Sequence, residues 1–371
     1  MNIQELHQRY GQSVWLDYIR RTLLESGEFA RLVKEDGIRG VTSNPSIFEK
    51  AIAESTDYAA ALQRSATHAD KSAEDVYEQL AVEDLQQAAD ILRPIYDSSD
   101  RRDGYVSMEV SPYLAHDGKA TIAEAVRLWS KLHRDNVMIK VPGTPEGMPA
   151  IRDLIGRGIN VNVTLLFSRA LCRRANEAYM EGVEALVARR EDPRRVASVA
   201  SMFVSRLDVL VDPMLAARKA LAGLVGRVAI ANAKLAYQDW KETCRSERWL
   251  ALAARGARPQ RLLWASTSTK DPRASDVVYV ESLIGPDTVD TIPPKTLDAF
   301  RDHGRAHDCL EENVDDAKQA MATLALGGIS IDDLTARLLD EGVTKFAASF
   351  KKLLGSIETK RAHGHAQRTA M

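Results

Sequence analysis

A lysine inside an apolar run, Asn136-Val-Met-Ile-Lys-Val-Pro-Gly-Thr144, is the first residue whose chemistry calls for an account. In extended conformation Val137, Ile139 and Val141 point to one face, Met138 and Lys140 to the other, and Pro142-Gly143 ends the strand. Burial disfavours an ammonium ion and frees the amine as a nucleophile toward carbonyl carbon. The plain alternative is a lysine guarding an exposed edge strand.

Polar residues recur near the ends of other strand-like runs: Asp17, Asn44, Glu109, Asn162, Thr164 and Ser201. Asp17 and Glu109 are carboxylates in apolar surroundings, suited to shuttle the protons that a lysine nucleophile needs. Asn44, Asn162 and Thr164 can orient hydroxyl groups or a water molecule. Taken singly, each also reads as structural: an ion-pair partner, a turn residue before Pro45, or a partner for loop backbone. Ser201-Met-Phe-Val-Ser-Arg206 ends a strand with a hydroxyl and a guanidinium, which suit a phosphate, whereas pairing of Arg206 with Asp208 or another surface acid is the bland reading. Lys270, in Ser266-Thr-Ser-Thr-Lys270, is a second basic residue in a comparable place. His303 and His307 have i, i+4 spacing but no third ligand, so no metal site is expected there, and His363 and His365 read as solvated. Neither a Ser-His-Asp set nor a P-loop is present.

Positioning these groups requires strands. Eight are expected: residues 13–19, 40–45, 105–112, 136–144, 160–167, 196–204, 261–267 and, weaker, 287–292. Helices are expected at 3–10, 20–35, from Ser72 to about Arg93, and at 121–132, 147–155 and 168–189. Further helices fill 207–255, 295–325 and 331–357, and a frayed tail follows Lys360. Strands alternating with helices imply a parallel sheet, and eight strands suffice to close a barrel. The expected fold is therefore α/β, a single (β/α)8 barrel domain over residues 1–371, with 207–255 as a helical insertion. An open doubly wound sheet is the competing architecture, but its Gly-rich phosphate loop is missing.

Composition agrees with a globular chain: 371 residues, 45% apolar, 27% charged, formal net charge -2. Such a balance argues against nucleic acid or an anionic membrane as the main partner. No run approaches the length of a membrane span, and the N-terminus lacks the pattern of a signal peptide. Cys172, Cys244 and Cys309 are widely spaced and read as small hydrophobes in a reducing compartment, so the cytoplasm is the expected location.

Six segments together resemble the transaldolase family: Trp15-Leu-Asp17, Val41-Thr-Ser-Asn-Pro-Ser46, Ser107-Met-Glu-Val110, Val137-Met-Ile-Lys-Val-Pro142, Asn162-Val-Thr-Leu-Leu-Phe-Ser168 and Ser201-Met-Phe-Val-Ser-Arg206. The likeness covers nearly the whole chain and is closest to the longer bacterial forms. It implies that Lys140 forms a Schiff base with a ketose phosphate, without metal or cofactor. It further implies that Asp17 accepts the C4 hydroxyl proton, that Glu109 and Thr164 hold a shuttling water, and that Asn44 and Asn162 bind substrate hydroxyls. Ser201 and Arg206 would grip the phosphate, with Phe203 as an aromatic wall. Two departures stand out. Met202 and Ser205 replace a usual proline and glycine, and the arginine expected after the seventh strand is absent, leaving Lys270, or else Arg261 or Arg273, to serve. The implied partners are sugar phosphates, in the pentose phosphate pathway, with self-association left open. An aldolase that releases its fragment, and a non-catalytic sugar-phosphate-binding barrel, are the alternatives; Glu109 and the chain length favour the transferase.

Overall fold

A computed structural model describes residues 3–65 and 70–369, with side chains to residue 362. Eight parallel strands close into a barrel in sequence order, with helices outside it. They are β1 (Ser13–Leu16), β2 (Gly40–Val41), β3 (Tyr105–Glu109), β4 (Val137–Pro142), β5 (Val161–Leu166), β6 (Ser198–Phe203), β7 (Arg261–Ala265) and β8 (Val289–Ile292). Every strand is buried along its length, as expected where one face packs on helices and the other fills the barrel. β1 closes on β8, pairing Ser13 with Val289 through Leu16 with Ile292. The open-sheet alternative is thereby excluded.

β2 is only two residues long, shorter than the run 40–45, because the chain turns out at Thr42 and enters the helix Pro45–Ala53. Gly40 has a packing cause: a Cβ there would lie 2.5 Å from the Trp15 ring, which fills the barrel beside it. The stretch 20–35 is not one helix. Gly27, at φ 80, splits it into Arg21–Glu25 and Glu28–Arg31, and a π-turn, Leu32–Asp36, follows. Conversely, the helix opened by the Ser72/Asp75 capping box runs to Ser98, past Pro94. The connection from β6 to β7 carries the helices Ser205–Ala216, Val228–Arg245 and Glu247–Ala253 with a 3-10 turn, Ala222–Leu224.

The last helix, Ile331–Thr369, is helical beyond Lys360. Lys360 donates to the carbonyl oxygens of Ile52 and Ser55, and Arg361 to that of Lys71, so the helix is anchored at these two residues. The side chains of His363 and His365 lie outside the described residues. No described helix is long and apolar enough to cross a membrane.

Candidate active site

Strand register builds the site. Glu109 on β3 pairs with Lys140 on β4, which pairs with Asn162 on β5, so three consecutive strands set carboxylate, amine and amide in one row. Glu109 ends β3, whereas Lys140 lies within β4 and Asn162 near the start of β5, so the row runs into the barrel from the end where barrel chemistry is housed. Lys140 is 4% exposed; its Nζ donates to the Ser43 carbonyl at 3.2 Å and lies 3.9 Å from Glu109 Oε2. The edge-strand reading of Lys140 therefore fails.

Both Glu109 oxygens are buried without a hydrogen-bond donor. Burial pushes its carboxyl up to about 7; Lys140 opposes that rise and Asp17 adds to it. A 20 Å³ cavity adjoins Glu109 between Tyr77, Ser111 and Phe350, enough room for one water molecule. Asp17 follows β1, accepting from Thr42 Oγ1 at 2.7 Å, and Thr42 Oγ1 also meets Thr291 Oγ1 at 2.6 Å. Burial raises the Asp17 carboxyl above its ordinary value against the pull of Lys140, Thr42 and Arg206. Two carboxyls are thus shifted upward beside one amine.

Asn162 is bonded on both sides: its Nδ2 donates to Ser107 Oγ at 3.0 Å and its Oδ1 accepts from Ser201 Oγ at 2.6 Å, leaving one N–H to spare. Thr164 Oγ1 is buried without a partner. The next residue, Leu165, has φ 60, and the β5–β6 register shifts between Val163 and Leu166. This bulge interrupts the alternation expected through 160–167 immediately after Thr164. Asn44 caps the helix Pro45–Ala53, accepting from Ile47 N at 3.0 Å through Oδ1.

Arg206 opens the helix after β6 and forms no ion pair among the described residues. Asp208 instead accepts from Ala229 N at 2.8 Å and Tyr279 Oη at 2.9 Å, which removes the bland reading of Arg206. The Arg206 guanidinium carbon lies 5.2 Å from the Phe203 ring centroid. Partial burial lowers its pKa, offset in part by Asp17 and Glu341. Lys270 is exposed and donates to Ser268 Oγ at 2.8 Å; burial of its stem, Arg206 and Lys50 lower its pKa. Arg261 is excluded from this end, because it starts β7 and bonds Asp103 at the other end of the barrel. Arg273 is exposed and paired with Asp271 at 2.8 Å. A cavity of about 1180 Å³ opens beside Asp17, walled by Lys50, Lys270 and Thr296 among others, while Lys140 lies off its wall.

Several residues of this region escaped the sequence reading. Ser107 has the same parity as Glu109, a signal that was available. Asp290 satisfies the criterion applied to Asp17, a carboxylate in an apolar strand; it is completely buried with one oxygen unpaired. Lys50 and Phe346 carried no local signal. Among the described residues no cluster of His, Cys, Asp and Glu could hold a metal ion.

A closed parallel barrel holding a buried lysine between a carboxylate and an amide belongs to the (β/α)8 barrels with a lysine-centred site. Residues 14–357 match the family Transaldolase/Fructose-6-phosphate aldolase. The chain is 46% identical over 362 residues to a transaldolase of Trichodesmium erythraeum, covering 94% of this chain and 95% of that protein. It is 48% identical over 359 residues to a transaldolase of Thiobacillus denitrificans, covering 96% and 100%, and 47% identical over 364 residues to "Transaldolase 2" of a Nostoc species, covering 95% of each. The chain belongs to the transaldolase/fructose-6-phosphate aldolase family.

Proposed function

We propose that this enzyme is a cytoplasmic transaldolase of the pentose phosphate pathway. It moves a dihydroxyacetone unit from sedoheptulose 7-phosphate to glyceraldehyde 3-phosphate, giving erythrose 4-phosphate and fructose 6-phosphate. The observation that carries the reading is the Glu109–Lys140–Asn162 row, with Lys140 Nζ 3.9 Å from a carboxylate that has no other partner.

In this mechanism the Lys140 amine attacks the C2 carbonyl and water leaves, forming a protonated imine. Glu109 and Thr164 hold the shuttling water; their unpaired oxygens and the small cavity at Glu109 support that role. Asp17 takes the C4 hydroxyl proton, the C3–C4 bond breaks, and its electron pair passes into the iminium to leave an enamine. The donor aldehyde departs, the acceptor aldehyde is attacked by C3 of the enamine, and hydrolysis returns the free amine. Asn44 and Asn162 steady the three-carbon unit. Ser201, Arg206 and Lys270 bind the phosphate, Phe203 walls the site, and no metal or cofactor takes part. Transfer instead of release requires that water be kept from the enamine. The whole chain acts as one domain on sugar phosphates and not on nucleic acid.

The test is borohydride reduction in the presence of fructose 6-phosphate, followed by peptide mass mapping. A three-carbon adduct on Lys140 is expected, and adding erythrose 4-phosphate before borohydride should deplete it. An adduct that acceptor does not deplete would convert the reading to an aldolase. Absence of any adduct while fructose 6-phosphate binds would overturn the lysine mechanism in favour of a binding protein.

A further inference from the structure

The C-terminal helix, Ile331–Thr369, does not stay in the outer ring of the barrel. It packs on the helix Pro45–Ala53 after β2, on the turn Pro112–Leu114 after β3, on β5, and on the helix Ser205–Ala216 after β6. These elements lie on opposite sides of the C-terminal mouth, so the helix crosses it. Gly342 permits the approach: a Cβ there would meet Leu165 Cδ2 at 3.0 Å, at the bulge that follows Thr164.

One turn further on, Phe346 is 4% exposed and faces the same way. Its ring centroid lies 6.0 Å from the guanidinium carbon of Arg206, which also sits over Phe203. Contacts beyond it fix the helix. Phe350 meets the rings of Tyr77 and Tyr113 at 5.4 and 5.6 Å, Ser349 Oγ accepts from Ser46 Oγ at 2.8 Å, and Lys352 pairs with Glu49 at 2.8 Å. Among the described residues no carboxylate is paired with Arg206. Glu341, the acid of this helix that acts on it from a distance, is bonded to Arg337 at 2.8 Å and to Lys345 at 3.4 Å. Aromatic faces attract a guanidinium without consuming the in-plane donors that match a phosphate.

We infer that Phe346 is a positioning residue for phosphate recognition: with Phe203 it holds the Arg206 guanidinium over two aromatic rings, leaving its donors free for the substrate phosphate. This rests on the assignment of Arg206 as a phosphate contact in the proposed function. It gives the C-terminal helix a part in substrate choice, because a loosely held Arg206 would weaken binding of phosphorylated sugars far more than of unphosphorylated ones.

The experiment compares Phe346→Leu, which keeps apolar bulk and loses the ring, with Phe346→Tyr, which keeps the ring. Inorganic phosphate affinity is measured by calorimetry, and KM and kcat are measured with fructose 6-phosphate and with fructose as donors. In the Leu variant phosphate affinity should fall roughly three- to tenfold. KM for fructose 6-phosphate should rise by a similar factor, with a much smaller change for fructose and for kcat, and Tyr should recover most of the loss. Unchanged phosphate affinity, or equal losses with both sugars, would overturn the inference. If the Leu variant does not fold, Phe346→Met carries the same test. Phosphate binding is read without turnover, so the two readings fail separately. Phosphate affinity that depends on Arg206 and Phe346 in a protein that traps no sugar on Lys140 keeps the clamp and removes the transaldolase. Trapping on Lys140 with phosphate affinity indifferent to Phe346 does the reverse.

Discussion

Asp103 and Glu109 stand near opposite ends of the same strand, both buried, and their surroundings differ in every respect. Asp103, just before β3, accepts from Arg39 at 2.8 Å, Arg261 at 2.9 Å, Ser13 at 2.8 Å and Trp15 at 3.3 Å. Burial alone would raise its carboxyl, but the guanidinium groups of Arg261 and Arg39 outweigh that and hold it well below the ordinary range. Glu109 has one ammonium at 3.9 Å and no hydrogen bond, and burial wins. The groups around Asp103 satisfy it. At the mouth Glu109 and Thr164 are left without hydrogen-bond partners, which costs stability and leaves Glu109 free to exchange protons.

The largest effects should come from removing one charge at each end. Lys140→Met should lower transaldolase activity by a factor on the order of 10⁴ or more, since it removes the amine of the proposed imine. Its thermal midpoint should hold or rise, because an apolar chain replaces a poorly paired buried cation. Asp103→Asn should behave oppositely. The buried guanidinium of Arg261 and the half-buried one of Arg39 lose their counter-ion, at a cost of about 3–5 kcal/mol in denaturant unfolding, while the folded fraction keeps its kcat. A Lys140 variant that unfolds readily, or an Asp103 variant that is stable but inactive, would break the contrast between the two ends.

Glu109→Gln sharpens the comparison within the mouth. Its loss as a proton shuttle should slow turnover by roughly 10²–10³-fold and erase a limb near pH 7 from the kcat/KM profile. The pKa of the folded state, about 7, lies above the ordinary 4.5, so the folded protein holds a proton that the unfolded chain releases. This contribution to stability is present at low pH and is lost as pH rises from about 4.5 to 7. The glutamine variant should therefore be the more stable of the two at pH 8, as chemical denaturation can read. Persistence of the pH 7 limb in the variant would assign that limb elsewhere.

The barrel was legible because alternation and turn residues are local: Lys140, Asn162 and Thr164 share the parity of one face, and Pro142-Gly143 and Pro45 mark where strands deliver their ends. Asp17 and Glu109 could be found by the same rule, being acids where apolar residues are expected. The break at Gly27 and the passage through Pro94 were not legible, because each depends on what lies outside the helix. Phe346 was invisible for a deeper reason. It lies 140 residues after Arg206, on a helix whose apolar spacing matches that of any packed helix, and only the path of that helix over the mouth brings the ring to the guanidinium. Likewise the two-sided bonding of Asn162 follows from the closure of neighbouring strands and from no motif.

Asp290 tests where the boundary between the two kinds of buried acid runs. It lies on β8, on the face opposite Thr291, entirely buried, with a single bond from Thr267 Oγ1 at 3.0 Å and no cation. Burial pushes its carboxyl up to about 8 against the Thr267 bond, and Asp17 adds to the rise. By the criterion that separates Glu109 from Asp103 it belongs with the mouth, although it faces away from the row at Lys140. The unfolded chain releases this proton near the ordinary 3.8 and the folded protein near 8, so stability should decline as pH rises between those values and level off above them. Asp290→Asn mimics the neutral acid and removes the slope. Its thermal midpoint should match the parent near pH 4 and exceed it by a few degrees at pH 8–9. Parallel curves would mean that Asp290 is ionised in the fold and has a donor beyond Thr267. A diverging pair would show that an unsatisfied acid can persist away from the reacting groups, so that lack of partners by itself does not mark a catalytic residue, and the row beside Lys140 is distinguished by the amine.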